Sequence, residues 1–406
     1  MPAANRCARC VLPQSADPVG FDADGVCSFC RAFDSTWATN EKRRSEGELE
    51  RILGLIKVAG AGKMHDCIIG LSGGVDSSYL AHLAVSLGLR PLAIHLDNGW
   101  DSELAIGNIS RLVNGLGLEL ETLVIDWREF RDLQIAYFRA SVIDIEVLTD
   151  HAITAFAFDM ARREGVKYIL SGNNVATEYG MPPGWYYNKQ DLRNLKAIAR
   201  RFGGPKLETF PTASGLRVLR EQLRGLRSID LLNLVDYNRA DAIELLSREY
   251  GYRPYGAKHY ESLFTRFYQA HVLPTKFGVD KREMHLSSLI RSGQMSREAA
   301  LAELDKPLYD DDTLREHATY VRKKLGFADE EWERIMAEPP KPHTAYPNDR
   351  WYITPLSRVV QKSLNATYDV RKRFRRKPRL SAEGDAVSLT EVVDEDRTAG
   401  AVKHEE

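Results

Sequence analysis

From residue 66 onward, short apolar runs alternate with stretches of helical spacing. The runs at 67–71, 91–96, 119–125 and 167–170 are compact and flanked by Gly, Asp, Asn or Pro, as expected of strands buried in a sheet. The intervals 75–87, 101–116, 128–140 and 150–164 carry apolar residues every three to four positions and predict helices. This β-α-β-α order predicts an α/β fold with a doubly wound parallel sheet, which binds ligands at the carboxyl ends of its strands. Upstream, residues 41–59 are charged but place Leu49, Ile52, Leu53 and Ile56 on one stripe, the pattern of an amphipathic helix. Downstream, 186–300 reads as mainly helical and 339–350 as irregular and proline-rich. From about 381 the chain is acidic, small and polar, and disorder is expected. No internal repeat is visible. The pattern divides the chain into 1–35, an α/β unit at 36–185, a mainly helical region at 186–380, and an acidic tail at 381–406.

Composition narrows the function classes. A chain of 406 residues, 43% of them hydrophobic, has room for two or three globular units. A net charge of −1 gives no global field favouring nucleic acid or membrane. No apolar run approaches the length of a membrane span, and Met1–Arg6 lacks the apolar core of a signal peptide, so a cytoplasmic enzyme is expected. The segment 371–377 is strongly basic, which reads either as an anion contact or as a solvated helix end.

Four of the five cysteines come in two pairs. Cys7-Ala8-Arg9-Cys10 and Cys27-Ser28-Phe29-Cys30 are separated by sixteen residues, the spacing of a structural zinc site. A disulfide pair or an iron–sulfur cluster could use the same residues; the missing secretion signal favours Zn²⁺ in a small zinc-ribbon-like unit over 1–35. Four thiolates close a tetrahedral site, so this centre is structural. Cys67, inside the first strand, reads as an inert core residue.

The chemistry begins where the first strand ends, at Leu71-Ser72-Gly73-Gly74-Val75-Asp76-Ser77-Ser78. Paired glycines allow backbone N–H groups to converge on an anion, and the following helix aims its positive end at the same point. Ser72, Ser77 and Ser78 add hydroxyls, and Asp76 adds a carboxylate that could hold Mg²⁺. No lysine follows the glycines, which excludes the phosphate loop of kinases and GTPases. The string resembles the pyrophosphate loop of the ATP pyrophosphatase (PP-loop) superfamily, whose enzymes cleave ATP between the α and β phosphates and transfer AMP to a carbonyl oxygen. The resemblance implies that Ser72, Gly73, Gly74, Asp76, Ser77 and Ser78 surround the pyrophosphate.

Other strand ends bear on the same rim. Asp97-Asn98-Gly99 closes the second strand; the superfamily places this position against the AMP moiety, while a plain turn is the alternative reading. Ser171-Gly172-Asn173-Asn174-Val175-Ala176-Thr177-Glu178 follows the fourth strand and is similar to a loop of NAD synthetases in which the glutamate binds Mg²⁺. Gly172 and Glu178 match that loop; Asn173 and Asn174 depart from it. Asp150 reads as an N-cap, and His151 either as a base near the strand ends or as a structural histidine. Further on, Phe264, Phe267, Tyr268 and Val272 form an apolar helical stripe. His259, Ser262, Arg266 and Gln269 share another face, preceded by Lys258. Lys258 and Arg266 could neutralise phosphates, unless the face is merely solvated.

Taken with Lys258-His259-Tyr260-Glu261-Ser262 and the cluster at 276–285, these motifs resemble the bacterial N-acetyl sugar amidotransferases of surface-polysaccharide and flagellin sugar pathways, over roughly residues 5–300. The resemblance implies ATP, Mg²⁺ and structural Zn²⁺ as cofactors, and an N-acetylated sugar as the group adenylated before ammonia attacks. Position 2 is proline, and Cys67 lacks a nucleophile elbow, so no glutaminase is expected within the chain. Ammonia would come from a separate glutaminase subunit, with a cyclase-like partner as the family implies. Rival readings are a tRNA-thiolating enzyme, another adenylating amide ligase, and a zinc adaptor that binds ATP without turning it over. The net charge, and Cys67 as the one cysteine outside the pairs, weigh against thiolation.

Overall fold

The computed structural model describes residues 6–16, 19–255 and 261–357. Lys258, the 371–377 segment and the acidic tail lie outside the described residues. Among the described residues, β1 (Cys67–Gly70), β2 (Pro91–Asp97), β3 (Leu120–Val124), β4 (Tyr168–Ser171) and β5 (Arg227–Asp230) pair in parallel in the order β3-β2-β1-β4-β5. The first four strands fall on the apolar runs, and the expected doubly wound parallel sheet is observed. β5 has no apolar signal because Arg227-Ser228-Ile229-Asp230 lies at the sheet edge, where backbone pairing with β4 suffices.

The helices α1 (Ser28–Ser45), α2 (Glu48–Ala59), α3 (Val75–Ser86), α4 (Glu103–Leu116), α5 (Trp127–Ala140) and α6 (Val147–Arg163) lie between or before the first four strands. The short α7 (Val175–Glu178) leaves β4, and α8 (Leu192–Arg201) and α9 (Gly215–Leu223) precede β5. Next come α10 (Arg239–Tyr250), α11 (Leu263–Phe267), α12 (Arg282–Arg291), α13 (Arg297–Leu304), α14 (Asp311–Leu325) and α15 (Asp329–Ala337). Adjacent strand residues serve opposite faces, as the pleat requires. Cys67, Ile69 and Ala93 join Ile56, Leu80 and Leu246 in one core, whereas Ile68, Leu92 and Ile94 join Phe130, Tyr137 and Phe156 in the other. Burying each large apolar side chain contributes about 1.5–3 kcal/mol. Both faces of the sheet are therefore committed to packing, and only the strand ends are left for chemistry.

Three boundaries differ from the sequence reading. The helix expected at 41–59 is two helices, because Gly47 takes the left-handed conformation (φ 72°) and turns the chain between α1 and α2. α1 also runs straight through residue 35, where a unit boundary was expected. α6 starts three residues before Asp150, so Asp150 does not cap it; its carboxylate pairs with Lys189 at 3.0 Å. The stripe of Phe264, Phe267, Tyr268 and Val272 is buried as expected, along α11 and the π-helical turns of Tyr268–Phe277 that continue it. Among the described residues no helix is long and apolar enough to cross a membrane.

Candidate functional site at the switch between β1 and β4

The chain winds outward from β1 to β3 and then returns to β4, so the order reverses between β1 and β4. At such a reversal the loops leaving the two strands diverge and open a crevice. Here those loops are Leu71–Gly74 and Gly172–Asn174. Leu71 N–H donates to the Ile94 carbonyl at 2.8 Å, which carries the sheet up to the edge of the loop. Gly73 then takes φ +78°, and a Cβ there would lie 2.8 Å from the Ala105 carbonyl oxygen, so only glycine fits. Ser72 Oγ accepts from Gly74 N–H and lies beside Ser77 Oγ, both at 3.2 Å. Gly74 occupies the N-cap of α3 without offering a side-chain cap, so the first N–H groups of the helix have no partner within it. Loop and helix together turn N–H groups without intrahelical partners and the Ser72 and Ser77 hydroxyls toward one space, a geometry suited to an anion.

A cleft of about 200 Å³ opens above this end, lined by Ser72, Gly74, Asp76, Ser77, Gly172, Asn173 and Glu178 from the two loops. Gly172 packs so closely on the start of α3 that a Cβ would meet Asp76 C and Ser77 N at 3.3 Å. Asn174, one of the two departures from the NAD synthetase loop, caps α7 by accepting from Thr177 N–H at 2.9 Å, which sets Glu178 on the rim. Asp76 Oδ1 accepts from the Tyr237 hydroxyl, and Thr177 Oγ1 lies 3.5 Å from Oδ2. Burial and then the Asp76 and Glu178 carboxylates push the Tyr237 phenol well up, so it stays a donor. Burial likewise raises Asp230, against the Ser171 hydroxyl and with the help of Glu178. Asp76 and Glu178 thus bring two carboxylates to one space, a hard-oxygen donor set suited to Mg²⁺.

Several sequence-predicted residues stand elsewhere. Ser78 is fully buried in α3 and is not among the lining residues, because the helical turn rotates it from the cleft-facing Asp76 and Ser77 into the core. Arg266 lies with its guanidinium carbon 4.9 Å from the Tyr309 ring centroid and does not line the cleft. Asp97 caps its own turn, accepting from Gly99 N–H at 2.8 Å, and also lies outside the lining. His151 is structural: Nδ1–H donates to the Lys189 carbonyl at 2.7 Å, and Nε2 accepts from Ala213 N–H at 3.1 Å. Burial pushes its pKa down.

The far wall comes from Arg239, Tyr252, Pro254 and Tyr255, which belong to no motif, and from Glu261 of the Lys258–Ser262 string. Arg239 opens α10, where Asn238 caps the helix and Gln294 Oε1 accepts from the Arg239 N–H at 3.0 Å. Tyr255 hydroxyl donates to the Gly73 carbonyl at 3.1 Å and clasps the loop from above. Glu261 reaches Gly74 closely enough that a Cβ would meet its Oε1 at 3.2 Å, and its carbonyl accepts from Ser102 N–H at 2.9 Å. Beside the string that holds Glu261, the aromatic and proline run at 252–255 was a sequence signal that could have marked this wall.

Away from the cleft, Cys7, Cys10, Cys27 and Cys30 are buried, with their sulfurs all within 4.8 Å of one another. No disulfide joins them. Cys7 Sγ accepts N–H groups from Cys10 at 3.4 Å and Cys27 at 3.2 Å. Four convergent thiolates with backbone N–H support suit a tetrahedral Zn²⁺. Cys67 is buried in β1, and burial followed by Asp66 raises its pKa, leaving it an inert thiol.

Residues 261–358 match the family model described as the C-terminal domain of WbpG-like LPS biosynthesis proteins. No curated protein gave a match to the chain. Among solved structures, an NMN synthetase from Francisella tularensis aligns at 15% identity over 53% of this chain and 98% of its own, with a TM-score of 0.26. An NH3-dependent NAD synthetase from Campylobacter jejuni, in complex with nitrate, aligns at 17% identity over 55% of this chain and 99% of its own, also with a TM-score of 0.26. Scores this low leave the sheet order and the loop geometry to carry the assignment of fold. The matched segment opens at Glu261, a wall of the cleft, so it belongs to the site as well as to the fold. A parallel sheet in the order β3-β2-β1-β4-β5, four clustered N-terminal cysteines, and a segment at 261–358 similar to the C-terminal domain of WbpG-like LPS biosynthesis proteins thus meet in one chain.

Proposed function

We propose that the chain is an ATP-dependent amidotransferase that converts the acetamido group of an N-acetylated sugar to an acetamidino group. The observation that carries the reading is the joining of two halves at one cleft: the lysine-free Ser72–Ser77 nest with Asp76 and Glu178, and the WbpG-like segment beginning at Glu261. An amide carbonyl is a poor electrophile and its oxygen a poor leaving group. Attack of that oxygen on the α-phosphorus of ATP breaks the α–β bond and releases pyrophosphate. Ammonia then adds to the adenylated carbon, loses a proton, and expels AMP.

The chain's own residues serve the first step. Gly74, the first turn of α3, and the Ser72 and Ser77 hydroxyls face the β,γ end, where charge collects as pyrophosphate leaves. Asp76 and Glu178 would hold Mg²⁺, which when bound supplies charge neutralisation across the phosphates. Tyr237 donates to one Asp76 oxygen and fixes the carboxylate. Tyr255 fixes the loop backbone. Burial of Cys67 favours this reading over sulfur transfer, which needs an accessible thiolate. Ammonia would be delivered by a separate glutaminase, with a cyclase-like partner.

The test is product identity. Purified protein with ATP, Mg²⁺, ammonium and an N-acetylated sugar nucleotide or nonulosonic acid is expected to yield AMP and pyrophosphate only when the sugar is present. The sugar product should be lighter by the difference between O and NH. Asp76→Ala is expected to lower this rate on the order of 10²–10³-fold, the loss typical of a missing preorganised group. Release of γ-phosphate instead of pyrophosphate, or an unaffected Asp76→Ala rate, would overturn the reading.

A further inference from the structure

Arg291, the last residue of α12, takes no part in the cleft, yet it is 6% exposed and carries a charge into the interior. Such a charge is tolerated only where its donors find partners. On one side they find sulfur: Nε donates to Cys30 Sγ at 3.3 Å, and Nη2 to Cys10 Sγ at 3.4 Å, with Cys27 Sγ at 3.9 Å. Four thiolates around one divalent cation carry a net charge of minus two, so a buried guanidinium beside three of the sulfurs matches the loaded centre in charge as well as geometry. On the other side Nη1 donates to the Tyr179 carbonyl at 3.0 Å. Tyr179 directly follows Glu178, the carboxylate on the cleft rim.

The grip on this segment is reinforced around Arg291. Ser288 Oγ donates to the same Tyr179 carbonyl at 2.9 Å, and Ser292 Oγ to the Ala176 carbonyl at 2.9 Å. A Cβ on Gly180 would lie 3.0 Å from Arg291 Nη1 and 3.1 Å from Phe29 Cδ1, so the backbone beyond Tyr179 rests directly on the guanidinium and on the ring between Cys27 and Cys30. One side chain thus spans the cysteine centre and the turn that presents Glu178.

We propose that Arg291 is a positioning residue that couples the four-cysteine centre to the cleft by fixing the Tyr179 carbonyl and, through it, the Glu178 carboxylate. This rests on the reading that Glu178 serves Mg·ATP. Without the guanidinium fork the Tyr179 carbonyl loses a donor held by the cysteine unit, and the turn that presents Glu178 is no longer tied to that unit.

The experiment compares the full chain with Arg291→Met and Arg291→Lys, each loaded with Zn²⁺ or Co²⁺. It reads the cobalt–thiolate absorption band, hydrogen exchange of amides 175–180, and affinity for Mg·ATP. Arg291→Met is expected to shift the cobalt band, to speed exchange at the Glu178 amide, which bonds the Asn174 carbonyl at 3.1 Å, and to weaken Mg·ATP binding about 10-fold. Arg291→Lys keeps the charge without the fork. It should hold the cobalt band near the parent position and still weaken Mg·ATP. A shifted band with unchanged exchange and affinity would reduce Arg291 to a charge partner of the centre and overturn the coupling. Exchange is read without nucleotide, so a parent chain that binds no Mg·ATP counts against the cleft reading alone. If Arg291→Met does not fold, Ser288→Ala, which removes the other side-chain donor to Tyr179, should reproduce the faster exchange; unchanged exchange there overturns the proposal too.

Discussion

Arg239 supplies what the loop lacks. The nest between Ser72 and Ser77 contains no cation, and a triphosphate needs more positive charge than a helix end offers. Arg239 lines the same cleft, held by the Asn238 cap and by Gln294 on its backbone. A charge-assisted hydrogen bond contributes about 1.5–3 kcal/mol. Arg239→Ala is therefore expected to lower kcat/KM for ATP by about 10- to 100-fold, with Arg239→Lys recovering part of it, as read by pyrophosphate release. An unchanged value would remove Arg239 from the phosphate site. Its position could not be read from sequence, because the chain between Ser77 and Arg239 crosses most of the sheet before returning to the cleft. Arg266 shows the converse: helical spacing revealed its shared polar face, but only packing could decide that this face meets Tyr309 and not the nucleotide.

At the scale of elements, the loop and α3 act as one rigid unit whose shape is set by Gly73. The left-handed conformation costs an L-residue roughly 1–2 kcal/mol. A methyl group there also meets the Ala105 carbonyl at 2.8 Å, and that carbonyl belongs to the first turn of α4, which cannot shift without disturbing the sheet face it covers. Gly73→Ala should lower the thermal midpoint by a few degrees and abolish pyrophosphate release, whereas Gly117→Ala, at another left-handed position with open space around it, should cost stability alone. Calorimetry and the pyrophosphate assay separate the two outcomes. The strand–loop–helix itself was legible, because Ser72, Gly73, Gly74, Asp76 and Ser77 lie within one six-residue run and local geometry dictates the turn they form. Gly172 and Glu178 were legible for the same reason. β5 and the wall at 252–255 were not, because an edge strand and a tyrosine clasp leave no periodicity and exist only through long-range contacts. Ser78 was misplaced for a local reason: the string gives its residue type, and the turn of α3 then points it into the core.

Over the whole molecule, the WbpG-like segment is interlocked with the sheet and does not sit beside it. α12 grips both the cysteine unit and α7, and Lys324 of α14 stacks its ammonium 4.4 Å from the Trp100 ring centroid. His343 makes a third tie with consequences for pH. Its Nε2 accepts from Asp144 N–H at 3.3 Å, its Nδ1–H donates to Asn194 Oδ1 at 3.1 Å, and its ring stacks on Tyr187 at 4.3 Å. Both nitrogens are committed to the neutral ring, and burial is the first cause that brings its pKa from 6.5 to about 4, against the pull of Asp144. A depressed folded value fixes the sign. Above 6.5 neither state is protonated and the stabilisation is complete; below it the unfolded chain takes up a proton that the folded chain refuses until about 4. The tie therefore weakens as pH falls through that window, by on the order of 2 kcal/mol between pH 7 and pH 5. Urea titrations at the two pH values should show that loss in the parent, and His343→Gln should start less stable at pH 7 but lose correspondingly less on acidification. Equal losses in the two proteins would mean that the acid sensitivity of the interlock lies elsewhere, with buried His151 next in line because its ring is held neutral in the same way.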